Sequence, residues 1–135
     1  MGLIKKKVKA SNPKKPNLSF EHDFWIDTGA LYSFIPEDWL EKIQIEPTGK
    51  RNLIFADGKK SIRSLGFCNF EIEGLEDIVI CPVIFASKGS IFLLGATALE
   101  NFGVEVDPTT KTLKPITAII GAFLASVGFI NLSGK

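Results

Sequence analysis

Apolar and polar residues alternate along much of this chain. In LSFEHDFWI, Leu18, Phe20, Phe24 and Ile26 fall on one side of an extended segment, which predicts a strand with one buried face. The alternation stops on Asp27-Thr28-Gly29 and the chain turns apolar again at once. Before this strand, LIKKKVK reads as a short first strand and SNPKKPN as a loop. After it, PEDWLEKI carries a helical signal. Pro36 suits a first turn, Glu37 and Asp38 favour its positive end, and Trp39, Leu40 and Ile43 can share one face.

Further on, KRNLIF and KKSIRSL flank Ala56-Asp57-Gly58. Asp-Gly between strand-like runs predicts a hairpin, here a long projecting one. GFCNFEIEG sets Cys68, Phe70 and Ile72 against Asn69, Glu71 and Glu73, so one face is buried and one wet. IVICPVIF and SIFLLG are nearly continuous apolar runs, as in strands covered on both sides. A short helix, ATALENF, follows Gly95, and GVEVDPTTKTLKP closes as a hairpin through Asp107-Pro108. Many short strands with one or two short helices predict an all-β fold, a small closed β-barrel.

The end of the chain departs from this pattern. No residue from Pro115 to Gly134 is charged, and the stretch from Ile116 to Ile130 is almost wholly apolar. As a helix of about 20 residues it would reach roughly 30 Å, the thickness of a hydrocarbon core. Asn131, Ser133 and several glycines dilute it, while Ala118/Ala122 and Gly121/Ala125 have the small-xxx-small spacing that lets helices approach closely. Two roles fit: a membrane anchor, or a terminal element packed against the domain or a partner subunit. The chain thus divides into a domain at 1–114 and an apolar tail at 115–135.

Composition narrows the chemistry. With 135 residues, 45% hydrophobic and 23% charged, the chain suits one globular domain with a real core. A net charge of +1 gives no global reason to expect a nucleic-acid partner. Lys5, Lys6, Lys7, Lys9, Lys14 and Lys15 form a local basic arm. Such an arm could touch RNA or anionic lipid, but it reads more simply as an edge strand whose lysines discourage further pairing. His22 is the single histidine, and Cys68 and Cys81 form no CxxC pair. Neither a zinc site nor any other cofactor is implied. The cysteines read as small core residues in a reducing compartment. No apolar stretch follows the N-terminal lysines, so no secretion signal is expected. The expected location is cytoplasmic, with the tail as the means of any membrane association.

Asp27 holds the most specific chemistry. A turn would explain Asp-Thr-Gly, since Asp and Gly are common there. A turn is usually polar and exposed, whereas this one is framed by Trp25 and Ile26 on one side and Ala30, Leu31, Tyr32, Phe34 and Ile35 on the other. A carboxylate among that much apolar surface needs partners.

Three segments in order, FWIDTGALYSFIP, NLIFADGKKSIR and IFLLGATALENFGVEVDPTTKTL, resemble the retropepsin-like aspartic proteases, and more closely the short cellular members found in prokaryotes than the retroviral ones. The resemblance covers about residues 18 to 114. It implies a β-barrel subunit that dimerises and hydrolyses peptide bonds without metal or cofactor. Carried onto this sequence, Asp27 would be the catalytic acid, Thr28 would brace it against the partner subunit, and Gly29 would offer backbone to substrate. Ala56 to Lys59, with Asp57 and Gly58, would form a flap tip over the substrate. Gly95 would pack beneath the catalytic loop. Ala30, Leu31, Tyr32 and Leu93 would be pocket walls, which favours cleavage next to apolar residues. Three positions depart from the retroviral pattern: Leu31 stands where an acid is usual, the flap tip has one glycine, and Ala96 replaces a common Arg.

Peptide hydrolysis of this kind needs one carboxylate to deprotonate water and a second acid to protonate the carbonyl oxygen. The chain has one Asp-Thr-Gly, so the second Asp27 is expected from a second subunit across a two-fold axis. The expected partners are therefore a second copy of the chain and an extended polypeptide. The competing reading is a catalytically silent peptide-binding module of the same fold, tethered to a membrane through the tail.

Overall fold

A computed structural model describes residues 4–117 of the chain. Its elements, in order, are β1 (Ile4–Asn12), β2 (Lys15–Ile26), β3 (Ser33–Pro36), α1 (Glu37–Lys42), β4 (Gly49–Ile54), β5 (Lys60–Ile72), β6 (Val79–Ala86), β7 (Leu93–Leu94), α2 (Ala96–Phe102), β8 (Val104–Asp107) and β9 (Thr112–Pro115). The described residues are thus mostly strand with two short helices. Strands β1 to β7 form one sheet in the order β1-β2-β7-β3-β6-β5-β4, and a further pairing of β1 with β5 brings the sheet back onto its first strand. Strands β8 and β9 form a separate antiparallel pair.

The period-two pattern decides which side chains enter the core. Along β2, Leu18, Phe20 and His22 are half-buried, and Phe24 and Ile26 are buried, while the residues between them face outward or lie part-exposed. Val8 and Ala10 of β1, Cys68, Phe70 and Ile72 of β5, and Cys81 and Val83 of β6 join them. Phe24 meets Phe70 edge to face with ring centroids 5.9 Å apart. A core of fully buried rings is sensitive to truncation, and Phe70→Ala would cost about 3–5 kcal/mol. Leu40 and Ile43 close one side of this core, and Ala98, Leu99 and Phe102 of α2 add to it.

Four expectations change. The SNPKKPN segment is a tight β1–β2 turn at Pro13 and Lys14 and not an open loop. Asn12 explains it: its buried Oδ1 accepts from the backbone N–H of Lys14 and Lys15 at 2.9 and 3.2 Å. Its Nδ2 donates to the carbonyls of Ile43 and Gln44 at 2.9 and 3.0 Å. A buried amide with two acceptor and two donor bonds has its full hydrogen-bonding capacity met.

The lysine-rich strand is an edge only in its first half: Ile4 to Lys7 have register partners in β2 alone, whereas Val8 to Ser11 pair with β2 on one side and β5 on the other. Lys5, Lys7 and Lys9 lie on the outer face, where Lys9 meets Glu71 at 4.0 Å and the Lys5 ammonium sits 4.4 Å from the centre of the Trp25 ring, while half-buried Lys6 shares a side with Val8 and Ala10. Strand β4 is an edge along its whole length, since it pairs with β5 alone. The IVICPVIF run is covered on both sides only over its second half, since Ile78 and Ile80 are exposed. Within SIFLLG only Leu93 and Leu94 pair as a strand.

Among the described residues no helix is long and apolar enough to cross a membrane. Of the tail at 115–135, Pro115 ends β9 opposite Val104, and from residue 118 on it lies outside the described residues.

Candidate active site

Asp27 lies where β2 leaves the sheet. Short β7 runs parallel to the end of β2, with Trp25 opposite Leu93 and Ile26 opposite Leu94. The Asp27 N–H donates to the Leu94 carbonyl at 2.9 Å, which extends the ladder one residue past the strand. The acid's backbone is therefore held by the sheet. Its side chain is half-buried, and Oδ1 accepts from the Gly29 N–H at 2.9 Å.

The loop that follows rests on α2. Ala96 N–H donates to the Ala30 carbonyl at 2.7 Å and Thr97 N–H to the Leu31 carbonyl at 3.1 Å. The first N–H groups of a helix have no partner within it, so the loop satisfies donors that would otherwise be orphaned. Gly95 N–H donates to the buried Ser33 Oγ at 3.0 Å. No side chain fits at Gly95: a Cβ would lie 2.3 Å from the Tyr32 carbonyl oxygen and 2.8 Å from that of Ala30. Both obstacles are backbone, so close approach of loop to helix demands glycine.

The β4–β5 hairpin stands over this loop. Gly58 at its tip has φ 84°, a left-handed conformation that suits glycine, and Asp57 Oδ1 accepts from the Lys59 N–H at 2.9 Å. Arg51 of β4 donates from Nε to the Tyr32 hydroxyl at 3.1 Å, linking hairpin to loop. Between hairpin and loop lies a cavity of about 640 Å³.

Of the residues singled out in the sequence, Asp27, Gly29, Ala30, Leu31, Tyr32, Ala56 and Leu93 line this cavity. Thr28 is exposed and is not in its wall, Asp57 and Gly58 stand at the exposed hairpin tip clear of it, and Gly95 lies beneath the loop. The sequence reading missed Phe55, Arg63, Ser87, Ser90 and Ile91, which also line it. The signal for Arg63 was present in the hairpin register, since it lies opposite Arg51, but a charged residue on a strand reads as solvent-facing.

No protein-family profile and no curated protein matches this sequence. Among solved structures, the chain is similar to foamy viral protease-reverse transcriptase. In the complex with an RNA/DNA hybrid the similarity covers 97% of this chain at 16% identity, with a TM-score of 0.53. In the dRH form bound to double-stranded DNA it covers 70% at 19% identity, with a TM-score of 0.48. The chain spans 16% and 14% of the length of those two proteins. The likeness to the first is one of fold, and it agrees with the mostly β architecture described above.

Proposed function

We propose that this chain is one subunit of a homodimeric, retropepsin-like aspartic endopeptidase whose closed barrel spans residues 1–114. The observation that carries the reading is the setting of Asp27, pinned by β7 and opening into an apolar cavity under a hairpin. Large apolar side chains remain uncovered around that cavity in a single subunit: Leu31 is 63% exposed, Ile54 72% and Ile91 55%. Such a cluster suits a substrate or a second subunit.

Asp27 and the partner's Asp27 share one proton, because two carboxylates a few ångströms apart do not both ionise. The charged member takes a proton from water as its oxygen attacks the peptide carbonyl carbon, and the protonated member gives its proton to the carbonyl oxygen. The tetrahedral intermediate then collapses: the C–N bond breaks, the leaving nitrogen takes the dyad's proton, and one hydroxyl of the intermediate gives its proton to the other carboxylate as the new carbonyl forms, which restores the single shared proton. Substrate lies extended beneath the hairpins, with its apolar side chains against Ala30, Leu31, Tyr32 and Leu93. Thr28 braces the dyad and Gly29 presents backbone to the substrate.

The test is cleavage of casein across pH by the wild-type protein and by Asp27→Asn. An amide supplies neither the base nor the shared proton, so the expected loss is on the order of a hundredfold or more, with an unchanged circular dichroism spectrum. Undiminished activity in Asp27→Asn would overturn the assignment. Peptide binding without cleavage in the wild type would favour the silent module instead.

A further inference from the structure

Among the described residues, only two charged side chains line the cavity, Asp27 and Arg63; its other walls are apolar, hydroxyl or amide groups. Arg63 reaches it from the hairpin strand β5, and its guanidinium donates from Nη2 to Ser87 Oγ just past the end of β6. Ser87 opens a tight turn closed by the Ser90 N–H donating to the Ser87 carbonyl at 3.1 Å, with Gly89 at φ 78°. Ser90 lines the cavity, and its Oγ is buried and has no hydrogen-bond partner among the described residues.

A buried hydroxyl without a partner is uncommon and calls for an explanation. Arg63 has further donors to offer, since a guanidinium carries five N–H groups and no acceptor. It takes part in none of the ion pairs among the described residues, which join Lys9 to Glu71, Lys59 to Asp57, and Lys114 to Glu105 and Asp107. One wall of the cavity thus offers a cation and an unused hydroxyl donor. The group that fits both accepts only and is negatively charged.

We propose that Arg63 and Ser90 form a carboxylate-binding subsite, so that the preferred peptides carry an acidic group beside an otherwise apolar run. The group is an Asp or Glu side chain or a peptide C-terminal carboxylate. The inference rests on the cavity being a peptide cleft, as proposed above. Ser87 positions the guanidinium, and charge-assisted bonds from Arg63 and Ser90 hold the carboxylate.

The test uses fluorescent apolar octapeptides, with binding read by anisotropy and cleavage read in the same samples by mass spectrometry. Amidated peptides carry Glu or Gln at each position in turn, and a second arm compares Gln peptides with a free or an amidated C-terminus. Wild-type protein is expected to bind a Glu peptide at one position, or the free-carboxylate peptide, about tenfold more tightly than its neutral counterpart. Arg63→Gln should reduce that ratio to about twofold or less, Arg63→Lys should keep part of it, and Ser90→Ala should lower it without removing a bond within the protein. Added salt should weaken it.

Equal binding of acidic and neutral peptides at every position, a preference unchanged in both Arg63→Gln and Ser90→Ala, or no peptide binding at all overturns the subsite. Should Arg63→Gln fail to fold, Ser90→Ala and the salt dependence decide. A carboxylate preference without cleavage refutes proteolysis alone, and cleavage indifferent to the carboxylate refutes the subsite alone.

Discussion

Gly95 shows how one residue can set the geometry of the site. Its φ of −97° is open to any residue, so the requirement is for space and not for conformation. Gly95→Ala would push a methyl group into the backbone of Tyr32 and Ala30. Overpacking of this kind costs about 1–3 kcal/mol, and urea unfolding should show a lower midpoint with an unchanged slope. Peptide cleavage should fall further than stability does, because the displaced segment carries Asp27. Unaltered stability and activity would mean that the loop does not depend on that contact.

The two cysteines give a second check at this scale. Burial pushes the Cys68 thiol well above its ordinary range, reinforced by neighbouring Cys81, and burial raises Cys81 despite a hydrogen bond from Asn101. The thiolate is the reactive form, so iodoacetamide at mildly alkaline pH should leave Cys68 unlabelled in the folded protein and label both cysteines in urea. Fast labelling of Cys68 without denaturant would contradict the packing described. Asp27 was legible in the sequence because an acid within an apolar frame is conspicuous. Ser33 was not, since a lone serine reads as surface until its buried bond to Gly95 is seen.

Among the elements, those with local punctuation were readable. The β4–β5 hairpin follows from Asp57-Gly58, α2 from the run after Gly95 with Gly103 at its left-handed end, and β8–β9 from Asp107-Pro108. The role of β1 was not readable, because its pairing with β5 joins residues about sixty positions apart and no local pattern encodes such a partner. The β8–β9 turn can be tested directly. Asp107 Oδ1 accepts from the Thr109 N–H at 2.9 Å and the Thr110 N–H at 3.3 Å. These bonds, with Lys114 nearby, hold its carboxyl below the usual carboxylate range. A lowered folded value means the stabilisation is present above the unfolded carboxylate range and is lost as pH falls through the folded value. Asp107→Ala should therefore melt below wild type at neutral pH, and the gap should close on acidification. A gap that widened in acid would show that the carboxylate is not what stabilises the turn.

For the whole molecule, the proposed function makes a single subunit half of an enzyme. It contains one Asp27 and leaves Leu31, Ile54 and Ile91 exposed around the cavity. Activity per subunit should rise with protein concentration until dimers saturate, and the pH profile should be bell-shaped, with limits that belong to the pair of acids. The measurement that bears most directly on this is a mixing experiment. Wild-type subunits at fixed concentration are equilibrated with increasing Asp27→Asn subunits, and the rate of peptide cleavage is followed. The shared dyad predicts that cleavage falls toward zero as inactive heterodimers replace wild-type dimers. A rate that stays constant, from a protein that sediments as a monomer, would contradict it.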